Sequence, residues 1–228
     1  MGVERRSPRT GRGARRGALP RRREGGAIAV ETALLAPVLL VFLLGIVELS
    51  MFIRDYVAVT SAARTGVRVA AAAPDAGRCV NPVPLPAGDT SCPTNGVPNF
   101  AKIAADAISR AGTALPKESI DHVMVYKANS GGYPGSLSSM PASCGGVTNC
   151  VMYTWRPTLG AFRYASGSWD SRQVNACFPN NVDAVGVQVA ARHDFLSGMF
   201  GQQLTMKDHA VMNFEPLPVA TCAAGQHE

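Results

Sequence analysis

The spacing with the most chemical content lies near the start of the chain. Gly26 and Ala27 stand between an arginine-rich stretch and a long apolar run, and one carboxylate, Glu31, interrupts that run four residues further on. A basic leader, a glycine, four apolar residues and then a glutamate is the arrangement of a proteolytic processing site, with the cut between Gly26 and Ala27. Helical rise places Glu31 only about 6 Å along from Ala27. A carboxylate at that depth in lipid is costly unless it is neutral or meets a cation. Cleavage creates one, the α-amino group of Ala27, and in a stacked bundle the amine of one helix can pair with the glutamate of its neighbour. What is unfavourable in an isolated chain then favours assembly. The bland alternative is a glutamate at headgroup level, or one paired with Arg23.

These residues need a rod to carry them. Residues 27–47 read AIAVETALLAPVLLVFLLGIV, with Glu31 as the one charge. A helix of that length spans roughly 30 Å, the thickness of a bilayer's hydrocarbon core. A buried helix of a soluble protein does not suit a Leu/Val run flanked by arginines. A cleaved secretory signal has a shorter apolar region than this one, which continues into Glu48 and Met51. Within the span, Pro37 removes a backbone hydrogen bond and crowds the carbonyl four residues back, so a kink near Ala33 is expected.

Charge and sulfur then fix the expected sidedness. The net charge is +6, yet nine arginines against Glu4 and Glu24 leave residues 1–26 at +7 and the rest of the chain at −1. The basic character therefore says nothing about nucleic acid and marks the cytoplasmic side of a membrane helix. Residues 1–24, rich in Arg, Gly and Pro, lack the apolar content to fold alone, which predicts a disordered cytoplasmic leader. All six cysteines, Cys79, Cys92, Cys144, Cys150, Cys177 and Cys222, follow the apolar run. Without any C-x-x-C pair they read as three disulfides on an oxidising side rather than as a zinc ribbon.

Downstream, the helical pattern persists to about Ala73, with no proline until Pro74. Arg64 and Arg68 share one face of it, and Ala62, Ala63, Gly66 and Ala70 present small side chains elsewhere. Those residues suit packing on the helix's own domain or against copies of itself. A Pro/Gly loop over 74–98 is expected to be stapled by Cys79 to Cys92. A short amphipathic helix is predicted over 100–115, and strands over 120–126, 150–155, 161–165, 184–191 and 204–214; Val185, Val187 and Val189 give the clearest alternation. The expected organisation is a leader over 1–26, a transmembrane helix over 27–52, its continuation over 53–73 and a disulfide-containing domain over 74–228. The fold class is α+β, with a long helix, a short helix and a mostly antiparallel sheet.

Catalytic constellations are missing from this pattern. The chain has no G-x-S-x-G, H-E-x-x-H, G-x-G-x-x-G or P-loop. His193 with Asp194, and Asp208 with His209, are sequence neighbours that a strand would point to opposite faces, so they read as ordinary strand-end polar residues and not as metal ligands. Trp155 and Trp169 read as core or loop anchors. Neither enzyme nor cofactor nor metal is expected, and neither nucleic acid nor a small-molecule substrate.

Three stretches carry a family likeness. Residues 26–48, GAIAVETALLAPVLLVFLLGIVE, hold a Gly, a Val-Glu, a Pro and a terminal Gly-x-x-Glu; residues 61–71, SAARTGVRVAA, continue the helix; the C-terminal run closes on Met212-x-x-Glu215-Pro216. In these the chain resembles the TadE/TadG-like family of tight-adherence (Flp) pilus proteins, which are pseudopilins or minor pilins. It departs from the pattern at Thr32, where an aromatic is usual, and in its long arginine-rich leader. The resemblance implies a pilin-like, non-enzymatic subunit that takes part in assembling the pilus. It is held in the cell membrane by one span, its N-terminus cytoplasmic and its body extracytoplasmic, and is associated with the pilus. Its implied partners are membrane lipid, other pilins or Tad secretion components, and a prepilin peptidase acting at Gly26. The competing function is a membrane-tethered extracytoplasmic binding protein or adhesin that never joins a pilus; a secreted hydrolase has no constellation behind it.

Overall fold

The computed structural model describes residues 24–81, 84–93, 96–111, 115–177, 182–198 and 201–222. The leader expected over 1–24 therefore lies, but for Glu24, outside the described residues. Helix α1 runs Glu24–Ala71, unbroken through Pro37, starting before and ending just short of the expected 27–73. The described chain divides after Gly45 into two units.

The first unit is the leading part of α1. Its apolar side chains are bare on every side: Ile28, Val30, Leu34, Leu35, Val38 and the run Leu39–Leu44 are all exposed. A helix at a protein surface normally keeps a polar face for water and hides an apolar stripe. This one has no polar face to keep. α1 is the helix among the described residues that is long and apolar enough to cross a membrane.

The second unit begins at Ile46. Its sheet has the order β3-β2-β1-β4-β5, from β1 Ile120–Ala128, β2 Cys150–Arg156, β3 Ala161–Ser168, β4 Ala184–Asp194 and β5 Gln203–Asn213. Every neighbouring pair is antiparallel. Helix α2, Asn99–Arg110, is shorter than its expected extent because the chain turns at Ala111. A last turn of helix, α3, covers Val219–Cys222.

Period two explains which sheet face meets which partner. Val123 and Val125 of β1, Val151 and Tyr153 of β2, and Val185, Val187, Val189 and Ala191 of β4 join one core with Ala58, Val59, Ala62, Ala63, Val67 and Ala70 of α1 and Phe100, Ala104 and Ile108 of α2. The small residues of α1 thus pack on the chain's own body. At the helix crossing, a Cβ on Gly66 would meet Ile108 Cδ1 at 2.8 Å and Val187 Cγ1 at 3.0 Å. Phe100 packs edge-on to both Trp169 and Phe214, with ring centroids 5.1 Å apart in each case. On the opposite face a second cluster gathers Met124, Tyr126, Cys144 and Cys150. Because both faces are covered, residues 123–126 of β1 are buried without alternation.

The six cysteines form three disulfides, Cys79–Cys92, Cys144–Cys150 and Cys177–Cys222. The first closes the 74–98 loop, where the Asn81 Oδ1 accepts from the Cys92 N–H at 2.8 Å and from the Ser91 hydroxyl at 2.5 Å.

Candidate functional site

The candidate residues near the N-terminus all sit on the leading part of α1. Gly26 and Ala27 lie within the described part of α1. A Cβ on Gly26 would meet nothing within 4 Å, so neither packing nor an unusual backbone conformation calls for glycine at that position. Glu31 is exposed and makes no ion pair with another described residue. Pro37 lies within the same helix. These four residues share one exposed apolar rod, and no described side chain of the body is needed to place them.

A second group joins α1 to the β4–β5 hairpin. Glu48, the last residue of the Gly-x-x-Glu pattern, is only 2% exposed, because Oε1 accepts the Ser197 N–H in the turn after β4. Two helical turns on, Asp55 Oδ2 lies 2.8 Å from His193 Nδ1. His193 is itself held between the edges of Phe52 and Phe195. Further along, the Thr60 hydroxyl donates to Asp208 Oδ2 at 2.6 Å. At the helix end the Ala71 carbonyl accepts the Glu215 N–H at 2.9 Å. His193 and Asp208 thus serve as partners of helix residues, and the Glu215-Pro216 close of the C-terminal run caps the last turn of α1. The sequence offered no sign of the Glu48, Asp55 and Thr60 pairings, since their partners lie 149, 138 and 148 positions away.

Among the described residues no group of three or more His, Cys, Asp or Glu could hold a metal ion. A polar recess of about 680 Å³ is lined by Arg78, Asn149, Trp169, Asp170, Arg172 and Gln173 among others. Asp170 caps the short turn after it and pairs with Arg172 at 2.7 Å; the Arg172 hydrogen bonds hold its carboxyl down at about 2. Asp170 and Arg172 are thus paired with each other across its rim. Burial pushes the His122 imidazole below its ordinary value, and Lys207 adds to the effect. Burial also raises the Tyr126 and Tyr153 phenols well above theirs. Trp169 is a core anchor, fully enclosed against Phe100; Trp155 packs on Phe162 at the rim.

The comparison with curated proteins finds no match, and neither does the comparison with solved structures. A family model, that of the TadE-like protein, matches residues 26–68. The matched stretch holds Gly26, Ala27, Glu31 and Pro37, and also Glu48, Asp55 and Thr60, the three helix residues that bond to the hairpin. Residues 26–68 of this chain are TadE-like, the likeness that its Gly26, Val-Glu31 and Gly-x-x-Glu48 spacing implied.

Proposed function

We propose that this protein is a minor pilin or pseudopilin that takes part in assembling tight-adherence (Flp) pili and catalyses no reaction. One observation carries the reading: a helix apolar on every side bears a single early carboxylate, Glu31, inside the TadE-like stretch. Positive flanks stay in the cytoplasm, so residues 1–26 are the cytoplasmic leader and the disulfide-bonded body faces outward. A prepilin peptidase cuts between Gly26 and Ala27. That cut frees the Ala27 amine to meet the Glu31 of a neighbouring subunit as the helices stack.

The test is N-terminal sequencing of the protein extracted from membranes of cells that contain a prepilin peptidase. Ala27 as the first residue is the expected result. A chain that retains Gly26 and its leader would remove the processing step, and would leave a membrane-tethered binding protein as the better account.

A further inference from the structure

Three stretches of the second unit meet at the recess of about 680 Å³, and each is pinned where it arrives. Arg78 adjoins Cys79 of the Cys79–Cys92 bridge, and the Cys79 N–H donates at 2.8 Å to the carbonyl of Val97, the neighbour of Gly96. Thr148 and Asn149 lead into Cys150 of the Cys144–Cys150 bridge, and the Lys127 N–H donates to the Asn149 carbonyl at 2.9 Å. Residues 168–173 run on from the end of β3, and the Ser171 N–H donates to the Gly96 carbonyl at 2.9 Å, joining the third stretch to the first. A recess built this way is formed before any ligand arrives, and so need not be ordered by one. Among the described residues Asn149 is the one non-glycine with a positive φ, 51°. Asparagine tolerates that conformation better than most, and it persists where the surroundings enforce it.

The chemistry of the lining selects the ligand. A site for an apolar molecule is walled mainly by hydrophobic side chains; here Trp169 is the one apolar side chain among the described lining residues. The Asp170 carboxylate is held ionised by Arg172, whose Nε and Nη2 donate to it at 3.1 and 2.7 Å and whose backbone N–H donates at 3.0 Å. A carboxylate offers about four acceptor positions, so three donors leave it room for one more. A free anion entering the recess would face Asp170, and a cation would face Arg78 and Arg172. An uncharged ligand rich in hydroxyls satisfies both, since each hydroxyl donates to one group and accepts from another. The Asn149 amide likewise supplies a donor and an acceptor. We propose that this recess binds a saccharide unit of a glycan, with Asp170 and Asn149 reading its hydroxyls. Its volume falls within the range of about 300–1,000 Å³ typical of small-ligand sites. All of these residues belong to the second unit, and a saccharide site would suit a minor pilin and a tethered binding protein alike.

The experiment uses the full chain in phosphatidylcholine nanodiscs free of glycosidic detergent. Glucose, galactose, mannose, N-acetylglucosamine and N-acetylgalactosamine are the probes, and inorganic sulfate is the control. Trp169 lines the recess, so indole emission reports its occupancy. At least one sugar should change that emission saturably, with a Kd of about 10 mM or tighter. Asp170→Asn keeps a side chain that caps the following turn, and Asn149→Gly suits the positive φ. Both variants should retain the near-ultraviolet dichroism of the wild type and bind that sugar about tenfold or more weakly. If none of the five sugars changes the emission, the inference is overturned. If sulfate saturates the response and the sugars do not, the recess is an anion site and the inference is overturned equally. Sugar binding undiminished in both variants would place the saccharide elsewhere on the protein, with the same result.

Discussion

Gly186 of β4 stands directly opposite Tyr126 of β1, and the phenol ring lies over it. A Cβ at this position would come within 2.3 Å of that ring. The ring has little freedom, since its hydroxyl donates to the Gly132 carbonyl at 3.0 Å and its body fills the second core. Gly186→Ala should therefore destabilise the body by about 1–3 kcal/mol through overpacking, read as a lower denaturant midpoint of the detergent-solubilised chain. His122 makes a different kind of prediction. Burial disfavours its charged form in the folded body, so below about pH 6.5 the unfolded chain takes up a proton that the folded one resists. Its contribution is intact above that pH and is lost as pH falls from there through the depressed folded value. Wild type should thus lose more stability between neutral and mildly acidic pH than His122→Gln, and parallel pH profiles for the two would refute the assignment.

At the scale of elements, the disulfides act unequally because they close different lengths of chain. Their separations are 45, 13 and 6 residues for Cys177–Cys222, Cys79–Cys92 and Cys144–Cys150. The chain-entropy relation gives about 4, 3 and 2 kcal/mol for these closures. Paired Cys→Ala substitutions should lower the unfolding free energy in that order, with loss of Cys177–Cys222 the most damaging, as measured by denaturation under non-reducing conditions. The elements themselves were largely legible in the sequence. The Val185, Val187, Val189 alternation announced β4, and the run IDHVMVY announced β1, because such patterns record burial of a strand against a neighbour. α1 was legible from apolar length alone, and missed only at its ends, where Glu24 joins the helix and Ala72 leaves it. The helix-to-hairpin contacts were not legible. Asp55 and His193, or Thr60 and Asp208, carry no mark of each other locally, and only the antiparallel turn-back of β4 and β5 brings them together. In sequence, His193 and Asp208 resemble ordinary strand-end residues, because their immediate neighbours Asp194 and His209 point to the opposite face.

At the scale of the whole molecule, the decisive question is whether Glu31 serves insertion or assembly, and the two impose opposite demands. For insertion alone a carboxylate near the start of an apolar helix is a penalty of up to about 3 kcal/mol if it is carried to mid-bilayer, and less near the headgroups. Replacing it with alanine should then leave membrane insertion as good or better. For assembly, the same carboxylate is the partner that an Ala27 amine needs once the leader has gone. A stacked bundle lacking it would bury an unpaired ammonium, and a buried charge left without its partner costs several kcal/mol. Glu31→Ala should therefore leave the amount of protein in the membrane fraction unchanged while incorporation into sheared fibres falls below detection. Glu31→Gln, which keeps shape but not charge, should fail in the same way, separating a charge requirement from a packing one. If both variants enter fibres as wild type does, Glu31 is a headgroup-level residue and the subunit's place in a pilus must rest on other contacts. If neither variant nor wild type enters fibres, the body is a tethered binding module, and the TadE-like stretch serves it as an anchor.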